Sequence, residues 1–557
     1  MKEAVIKALG VTGLLRDEIE RLIEVPKERE RGDYAFPCFT LAKVWKKNPI
    51  EIAKEIAGKI KIGRDFEKIE AVGPYVNFFV NISSLAKETI TKILKEKETY
   101  GRENKVKRTL MIEFSQPNTH KAFHVGHIRG TSFGESLARL RESTGYKVIR
   151  ANYSGDTGMH IAKWLWAYTV FHKGEKIRND ESWFAKIYVE AVKKLEDNEK
   201  GQEEVEEINR KLDARSDSYL VKLWKDTRKK SIASWKPIYH ELDVKFDFHF
   251  FESETEELGK NLVQSLVKEG IAKISEGATI MDLEKDNFGV WVLLRKDGTV
   301  LYSAKDLALA EMKFKKYKID ESLVITSVEQ NLHFKQLQKT LELMKFPHWK
   351  RYNHLGYESV RLPWGKMSSR TGDNVFYREF KDELIAEAKK ELKSRGKLSE
   401  RELEKRSLSI AIAAMKYTML KQDINKIIIF NKEDALRFEG DSGPYLLYSY
   451  ARAKSILKKA GKKAKLSKNL NVELSERLLI NELARFPQVV SQASETQSPA
   501  MIAHYSYALA QMFNEFYHSN KVIGSEEEGF RLQLVRAFSQ VLKNALNLLG
   551  IDVLEEM

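Results

Sequence analysis

The sequence predicts an α/β protein: a parallel-sheet domain interrupted by helical insertions, preceded by a small α+β unit and followed by an all-α bundle. Three observations predict it. A buried strand, a short loop, a helix and a second strand succeed one another between residues 109 and 152, which is a βαβ unit with parallel strands. The residues before position 100 mix helical periodicity with β-rich runs. Beyond residue 380 nearly every pattern is helical.

Composition bounds what such a chain can do. Its 557 residues suggest three or four domains, at about 150 residues each. Hydrophobic residues make up 42% and charged residues 31%, a globular balance. The longest apolar runs, such as 410–415, fall far short of the ~18 residues of a membrane span. No h-region follows Met1, so a secretory signal is not expected. The lone Cys38 leaves no intramolecular disulfide and no thiolate metal cluster, and a reducing, cytoplasmic setting is expected. The net charge of +15 favours polyanionic partners, although a solvated Lys-rich surface reads the same way.

The elements follow in order. Residues 1–100 are expected to form the α+β unit, with helical patterns at 4–23 and 50–60, a β-rich run at 73–80 opening on Gly73-Pro74, and a charged helix at 85–97. The parallel-sheet domain is expected over 105–378. Its first strand spans 109–115, its loop 116–123, its helix starts at His124, Gly145 is the left-handed stop, and its second strand spans 147–152. A helical insertion is expected over about 160–285, carrying Trp164, Trp166, Trp183, Trp224 and Trp235. Strand signals return at 288–294, 300–303 and 322–327. A helical linker over 379–415 then leads to a bundle over 416–557.

Two motifs carry chemistry. His124-Val125-Gly126-His127 opens the helix after the first strand. A helix N-terminus offers free N–H groups and the positive end of the dipole, which suits phosphate. Gly126 allows close approach to the backbone, and the two imidazoles share one face of the first turn. Taken alone, these residues read equally as capping or core histidines. Lys366-Met367-Ser368-Ser369-Arg370 supplies two cations and hydroxyls in a polar loop, a composition suited to closing over a leaving pyrophosphate. Alone it reads as an ordinary basic loop.

The pair resembles the HIGH and KMSKS signatures of class I aminoacyl-tRNA synthetases. The surrounding residues resemble the arginyl-tRNA synthetase family in particular: Glu113-Phe114-Ser115-Gln116-Pro117-Asn118, Lys121-Ala122-Phe123, Gly155-Asp156-Thr157-Gly158, Tyr302-Ser303-Ala304-Lys305-Asp306, Gln330-Asn331-Leu332-His333-Phe334 and Asp434-Ala435-Leu436-Arg437. The resemblance implies a Rossmann-like catalytic domain with helical insertions, an N-terminal domain contacting the elbow of tRNA, and an all-α anticodon-binding bundle. It implies ATP and L-arginine as substrates, Mg²⁺ on the phosphates, tRNA(Arg) as partner, and transfer of the arginyl group to the terminal ribose.

Residue roles follow from it. Glu113, Tyr302, Asp306 and Gln330 are expected to shape the arginine pocket, and Asn118 to hold the amino or carboxylate end. A planar guanidinium asks for carboxylates in fork geometry, so Glu113 and Asp306 suit it. If Glu113 is buried it needs a cationic partner, with Lys121 or Arg370 as candidates besides the substrate. His124, Gly126, His127, Lys366, Met367 and Ser368 are expected to contact ATP. One departure stands out: Ser369 occupies the place of the family loop's second lysine. Arg370 and Lys121 are the candidate replacements, and the resemblance favours Lys121. Tyr445, Tyr448 and Arg452 form a helical stripe suited to stacking on anticodon bases, although such a stripe also reads as core packing, and the lysines of 454–468 form a phosphate track. Tyr34, Phe36 and Asn77 are candidates for contacting the tRNA elbow. The default state is a monomer. The alternatives are another class I synthetase, a nucleotidylyltransferase using His-x-Gly-His, and a non-catalytic tRNA-binding paralogue. A cysteine-specific enzyme would ask for zinc, which one Cys supplies poorly.

Overall fold

The computed structural model describes every residue except 27, 29, 30, 364, 367–375 and 462–469. These residues form two compact units: Met1–Tyr100 with Ser455–Phe486 and Gln511–Val541, and Gly101–Lys454 with Pro487–Ala510 and Leu542–Met557. The helical C-terminal region contributes segments to both units.

The first unit begins with α1 (Lys2–Ala8), α2 (Arg16–Leu22), β1 (Tyr34–Pro37), α3 (Phe39–Trp45), α4 (Pro49–Lys59), β2 (Phe66–Val72), β3 (Tyr75–Val80) and α5 (Ile82–Glu96). Its strands pair antiparallel in the order β1-β3-β2. The helical pattern expected over 4–23 is broken, because Gly13 takes φ +77° after a short 3-10 turn. Phe36 and Asn77 are 0% and 2% exposed, so neither is open to a nucleic acid as expected; they point to opposite faces of the sheet, and both faces are covered there.

The second unit is built on β4 (Thr109–Glu113), α6 (Val125–Ser143) and β5 (Lys147–Ser154). Helices α7 (Met159–Phe171), α8 (Glu181–Leu195), α9 (Glu199–Asp213), α10 (Ser218–Ser234) and α11 (Lys236–Glu241) follow. Trp164, Trp183 and Trp224 are buried in these helices' own core. Then come β6 (Phe248–Phe251), α12 (Glu252–Lys268), the antiparallel β7 (Lys273–Ser275), β8 (Ala278–Leu283) and β9 (Gly289–Leu294), α13 (Tyr302–Tyr317), β10 (Glu321–Ser327), α14 (Asn331–Leu343) and β11 (Tyr352–Tyr357). Strands β12 (Val360–Leu362) and β13 (Gly365–Lys366) precede α15 (Tyr377–Arg395), α16 (Glu400–Leu420), β14 (Ile428–Ile429) and α17 (Lys432–Ala435). Helices α18 (Gly443–Ala460), α19 (Leu474–Glu495), α20 (Pro499–Ser519) and α21 (Glu528–Leu548) complete the chain.

Two expectations are corrected. The stretch 160–285 is not wholly an insertion: β6 joins the main sheet parallel to β5, pairing Phe248 with Ala151. Its four residues are too few to show a period-2 pattern between helices. Residues 300–303 are not a strand: Val300 makes one isolated bridge to Leu294, and Tyr302 already starts α13. The helix-forming run behind Tyr302 overrides the local β signal.

The main sheet has five parallel strands in the order β11-β10-β4-β5-β6. The chain moves outward from β4 through β5 to β6, then returns to the other side of β4 as β10 and β11. The order thus reverses between β4 and β10, and the crevice beyond the carboxyl ends of such strands is where ligands bind in this architecture. Gly134 lets α6 lie flat on the chain leaving β4: a Cβ there would sit 2.2 Å from Cγ of the fully buried Phe114. Gly134→Ala should therefore overpack this contact and lower stability by about 1–3 kcal/mol, read as a shift in the denaturation midpoint; an unchanged midpoint would contradict the packing.

Candidate active site

A cavity of about 490 Å³ opens at the carboxyl ends of the sheet. Glu113 from β4, Tyr153 from β5, Thr326 and Ser327 from β10, and Tyr357 from β11 line it, together with Glu252 directly after β6.

The loop leaving β4 is strained. Ser115, Gln116 and His120 all have positive φ, at 80°, 46° and 62°, which non-glycine residues adopt only when their surroundings hold them. Hydrogen bonds do the holding. Gln116 N–H donates to Asn152 Oδ1 at 3.2 Å, and Thr119 N–H to the Gly155 carbonyl at 2.9 Å. Gly155 N–H donates to Asn118 Oδ1 at 3.0 Å, which fixes Asn118 on the wall. Phe123 N–H donates to Glu181 Oε1 at 2.5 Å.

Helix α6 begins at the end of this loop, with His124 as its N-cap residue and His124, Gly126 and His127 on the wall. His124 N–H donates to His127 Nδ1 at 3.1 Å. That bond assigns the tautomer: Nδ1 of His127 accepts, so its proton sits on Nε2. The two rings lie 3.9 Å apart. Burial, and then the charge of Lys121, lowers the His124 pKa to about 4. Burial, followed by His124 and Lys121, holds His127 well below the usual range. Both are therefore neutral N–H donors at pH 7. Gly126 has a further reason to be glycine, since a Cβ would lie 2.9 Å from His124 Cε1.

The acidic side is arranged by pairing. Glu113 lies 2.5 Å from Lys313 Nζ, and its other oxygen accepts from Gln116 Nε2 at 3.3 Å. The buried partner of Glu113 is thus Lys313 of α13, and Lys121 lies elsewhere; Arg370 is outside the described residues. Asp306 lies within 2.7 Å of His333 Nε2, and Lys305 Nζ lies 3.2 Å from Glu252. Burial raises the Glu252 pKa. Asp306 and Gln330 reach the wall; Tyr302 lies outside it, 55% exposed, with its ring 4.8 Å from that of His333.

Lys121 is also absent from the wall. Its Nζ lies 5.1 Å from the Tyr188 ring, and burial, then Lys163, lowers its pKa. Lys366 lies on β13, paired with Arg361 of β12. Met367, Ser368, Ser369 and Arg370 lie outside the described residues. The chain re-enters description at Phe376, which bridges His124 directly. Among the described residues, no three His, Cys, Asp or Glu side chains are grouped to hold a metal ion.

The sequence reading missed Lys313, Glu252 and His333. Lys313 carried a signal, since it lies seven residues beyond Asp306 on the same helix. Glu252 was hidden because β6 was. His333 stood inside a quoted motif without a role.

Tyr445, Tyr448 and Arg452 lie on α18. Arg452 Nη2 donates to the Tyr448 hydroxyl at 3.1 Å, and the Tyr445 ring packs 5.7 Å from Tyr507. All three are half-buried. The lysine track at 454–468 falls largely outside the described residues.

The buried histidines make stability depend on pH. Burial is the largest cause in each case: His160 falls to about 3, His124 and His354 to about 4, and His120 and His127 lie well below 6.5. Between pH 6.5 and 5 the unfolded chain binds these protons and the folded chain does not, so acid favours unfolding. Glu181, raised by burial to about 7, opposes, as do Glu252, Asp213 and Glu482, which burial also raises. The urea midpoint should fall from pH 7 to 5, with each histidine contributing up to about 1.4 kcal/mol per pH unit. A flat profile would contradict their burial as neutral groups.

Comparison with known proteins agrees along the whole chain. The family model "tRNA synthetases class I (R), catalytic domain" matches residues 89–431, "DALR anticodon binding domain" matches 446–557, and "Arginyl tRNA synthetase N terminal domain" matches 1–80. An arginine–tRNA ligase of Clostridium acetobutylicum is 36% identical over 554 residues, 97% of each chain. That of Clostridium perfringens is 35% identical over 97% of each. The arginyl-tRNA synthetase structure from Thermus thermophilus superposes with a TM-score of 0.81 at 26% identity, covering 100% of this chain and 99% of that one. Among the described residues no helix is long and apolar enough to cross a membrane. The chain belongs to the class I arginyl-tRNA synthetase family.

Proposed function

We propose that this protein is an arginine–tRNA ligase of translation that activates L-arginine with ATP and passes the arginyl group to the 3′-terminal ribose of tRNA(Arg), acting as a cytoplasmic monomer. The observation that carries the reading is one cavity with two unlike ends: the N-terminus of α6 with neutral His124 and His127, and Asp306, a carboxylate paired with the His333 imidazole and, among the described residues, with no lysine or arginine.

An arginine carboxylate oxygen bonds to the α-phosphorus of ATP, and the bond from that phosphorus to the bridging oxygen breaks. Pyrophosphate leaves with the electron pair. The attacking carboxylate is already ionised, so no general base is required. Positioning and charge stabilisation carry the step. His127 Nε2–H and His124 donate to phosphate oxygens as charge builds, and the α6 dipole adds to them. Asp306, oriented by His333, takes the guanidinium, while Glu113, already neutralised by Lys313, shapes the pocket through Gln116. Gln330 helps shape that pocket, Asn118 holds the amino or carboxylate end of the amino acid, and Tyr302 covers the outer end. Lys366, with Met367, Ser368, Ser369 and Arg370, closes over the leaving group. Lys121 supplies the cation that Ser369 lacks. No group of three His, Cys, Asp or Glu side chains stands among the described residues to hold Mg²⁺, which would ride on the nucleotide's phosphates and offset their charge. The ribose hydroxyl then displaces AMP from the adenylate. Tyr445, Tyr448 and Arg452 serve the anticodon loop.

Pyrophosphate exchange with a panel of amino acids, with and without tRNA, tests this reading. Arginine should support exchange and lysine should not; exchange with another amino acid, or with none under either condition, would overturn it. Asp306→Asn should raise the KM for arginine about 10- to 100-fold, the scale of one charge-assisted hydrogen bond, while the KM for ATP stays within about twofold.

A further inference from the structure

Arginine brings two cations to a pocket, a guanidinium at one end and an α-ammonium at the other. Two carboxylates of the cavity wall have an oxygen left open for them. Among the described residues, Asp306 meets His333 through Oδ2 alone. Glu252 uses only Oε2, on Lys305 Nζ at 3.2 Å and the Thr157 hydroxyl at 3.4 Å, and its Oε1 accepts no hydrogen bond from a described residue. Glu113 is closed by Lys313 and Gln116, and Glu329 is exposed to water, which screens it. Glu252 Oε1 lies 3.1 Å from the place that a Cβ on Gly155 would take, and Asn118 Oδ1 lies 2.6 Å from the same place. The glycine thus leaves open a corner between a carboxylate oxygen and an amide oxygen, and all three residues line the cavity. Asn118 Oδ1 accepts one bond, from Gly155 N–H at 3.0 Å, and keeps a second lone pair. Acceptors and negative charge suit the corner to a compact cation and repel a carboxylate. Its position fits as well. Asn118 belongs to the loop that runs into α6, and Thr119 N–H ties that loop to the Gly155 carbonyl, whereas Asp306 stands on α13.

We propose that the corner at Gly155 receives the α-ammonium of the amino acid, with Glu252 Oε1 as its counter-ion and Asn118 Oδ1 as a second acceptor, which leaves the neighbouring carboxylate to face the nucleotide at α6. The inference rests on the reading of the cavity as an arginine site and adds to it the partner of the amino group. Lys305 holds the Glu252 carboxylate by its other oxygen and so keeps Oε1 turned to the corner. Burial raises the Glu252 pKa, and a second cation beside it favours the charged form.

Titration calorimetry on the full-length enzyme with tRNA(Arg) bound tests it, with arginine and 5-guanidinopentanoate as the two ligands. The second keeps the guanidinium and the carboxylate and lacks the amino group. The unmutated enzyme should bind it about 10- to 100-fold more weakly than arginine, the scale of one charge-assisted hydrogen bond. Glu252→Gln should weaken arginine by a similar factor and leave 5-guanidinopentanoate within about twofold, because that ligand has no group for the corner. Gly155→Ala fills the corner and spares the Glu252–Lys305 pair, and it should also weaken arginine more than the analogue, so the test stands even where the first variant unfolds. Asp306→Asn should weaken both ligands alike. If Glu252→Gln weakens both ligands equally, or spares arginine, the proposal fails while the arginine site stands. If Asp306→Asn leaves both ligands unaffected, the arginine reading itself fails. The melting temperature of each variant separates a lost contact from unfolding.

Discussion

The chemistry rests on where the first turn of one helix is held. Helix α6 is fastened along its length. Its start is bonded to itself by His124 and His127 and bridged by Phe376. One turn on, the buried Arg129 donates to the carbonyls of Asp423, Ile424 and Lys426, at 3.2, 3.0 and 3.1 Å. Gly134 lets its middle contact Phe114. Further along, Ser136 donates to the Leu548 carbonyl at 2.8 Å and Arg139 to that of Asn547 at 2.9 Å. A helix held at so many points cannot slide relative to β4, so its positive end stays at the sheet's switch point.

The second constraint is charge. Three carboxylates, Glu113, Glu252 and Asp306, face one small cavity. Unpaired, they would repel one another and raise each other's pKa. Each has its own neighbour: Lys313, Lys305 and His333 respectively. The neighbours are not equivalent. Two are lysines and one is an imidazole, so Asp306 retains the most capacity to pair with an incoming cation. In the proposed reading this gives the pocket a direction, with phosphate at the α6 end and guanidinium at the α13 end.

Much of this was legible in the sequence, for a physical reason. A strand, a loop and a helix start are local, and so are His124, Gly126 and His127; their roles depend on neighbours within a few residues. The strands expected at 147–152 and 322–327 were legible because each opens on a short apolar, β-branched run, Val148-Ile149 and Leu323-Val324-Ile325. What was hidden is what the tertiary structure joins. Glu113 and Lys313 are two hundred residues apart, and only the β4–β10 pairing brings α13 over Glu113. The four residues of β6 were too short to read, and Glu252 went with them. Phe36 and Asn77 looked like recognition residues, but both faces of their sheet are covered there. The alternatives weighed from the motifs, another class I synthetase or a small nucleotidylyltransferase, are set aside by the match of all three segments.

The most direct measurement is a crystal structure with a non-hydrolysable arginyl-adenylate analogue. The phosphate-mimicking group should lie within hydrogen-bond distance of His127 Nε2 and the first N–H groups of α6, with the guanidinium on Asp306 and the Glu113–Lys313 pair intact. An analogue bound the other way round, or a guanidinium that displaces Lys313 to reach Glu113, would contradict the two-ended pocket.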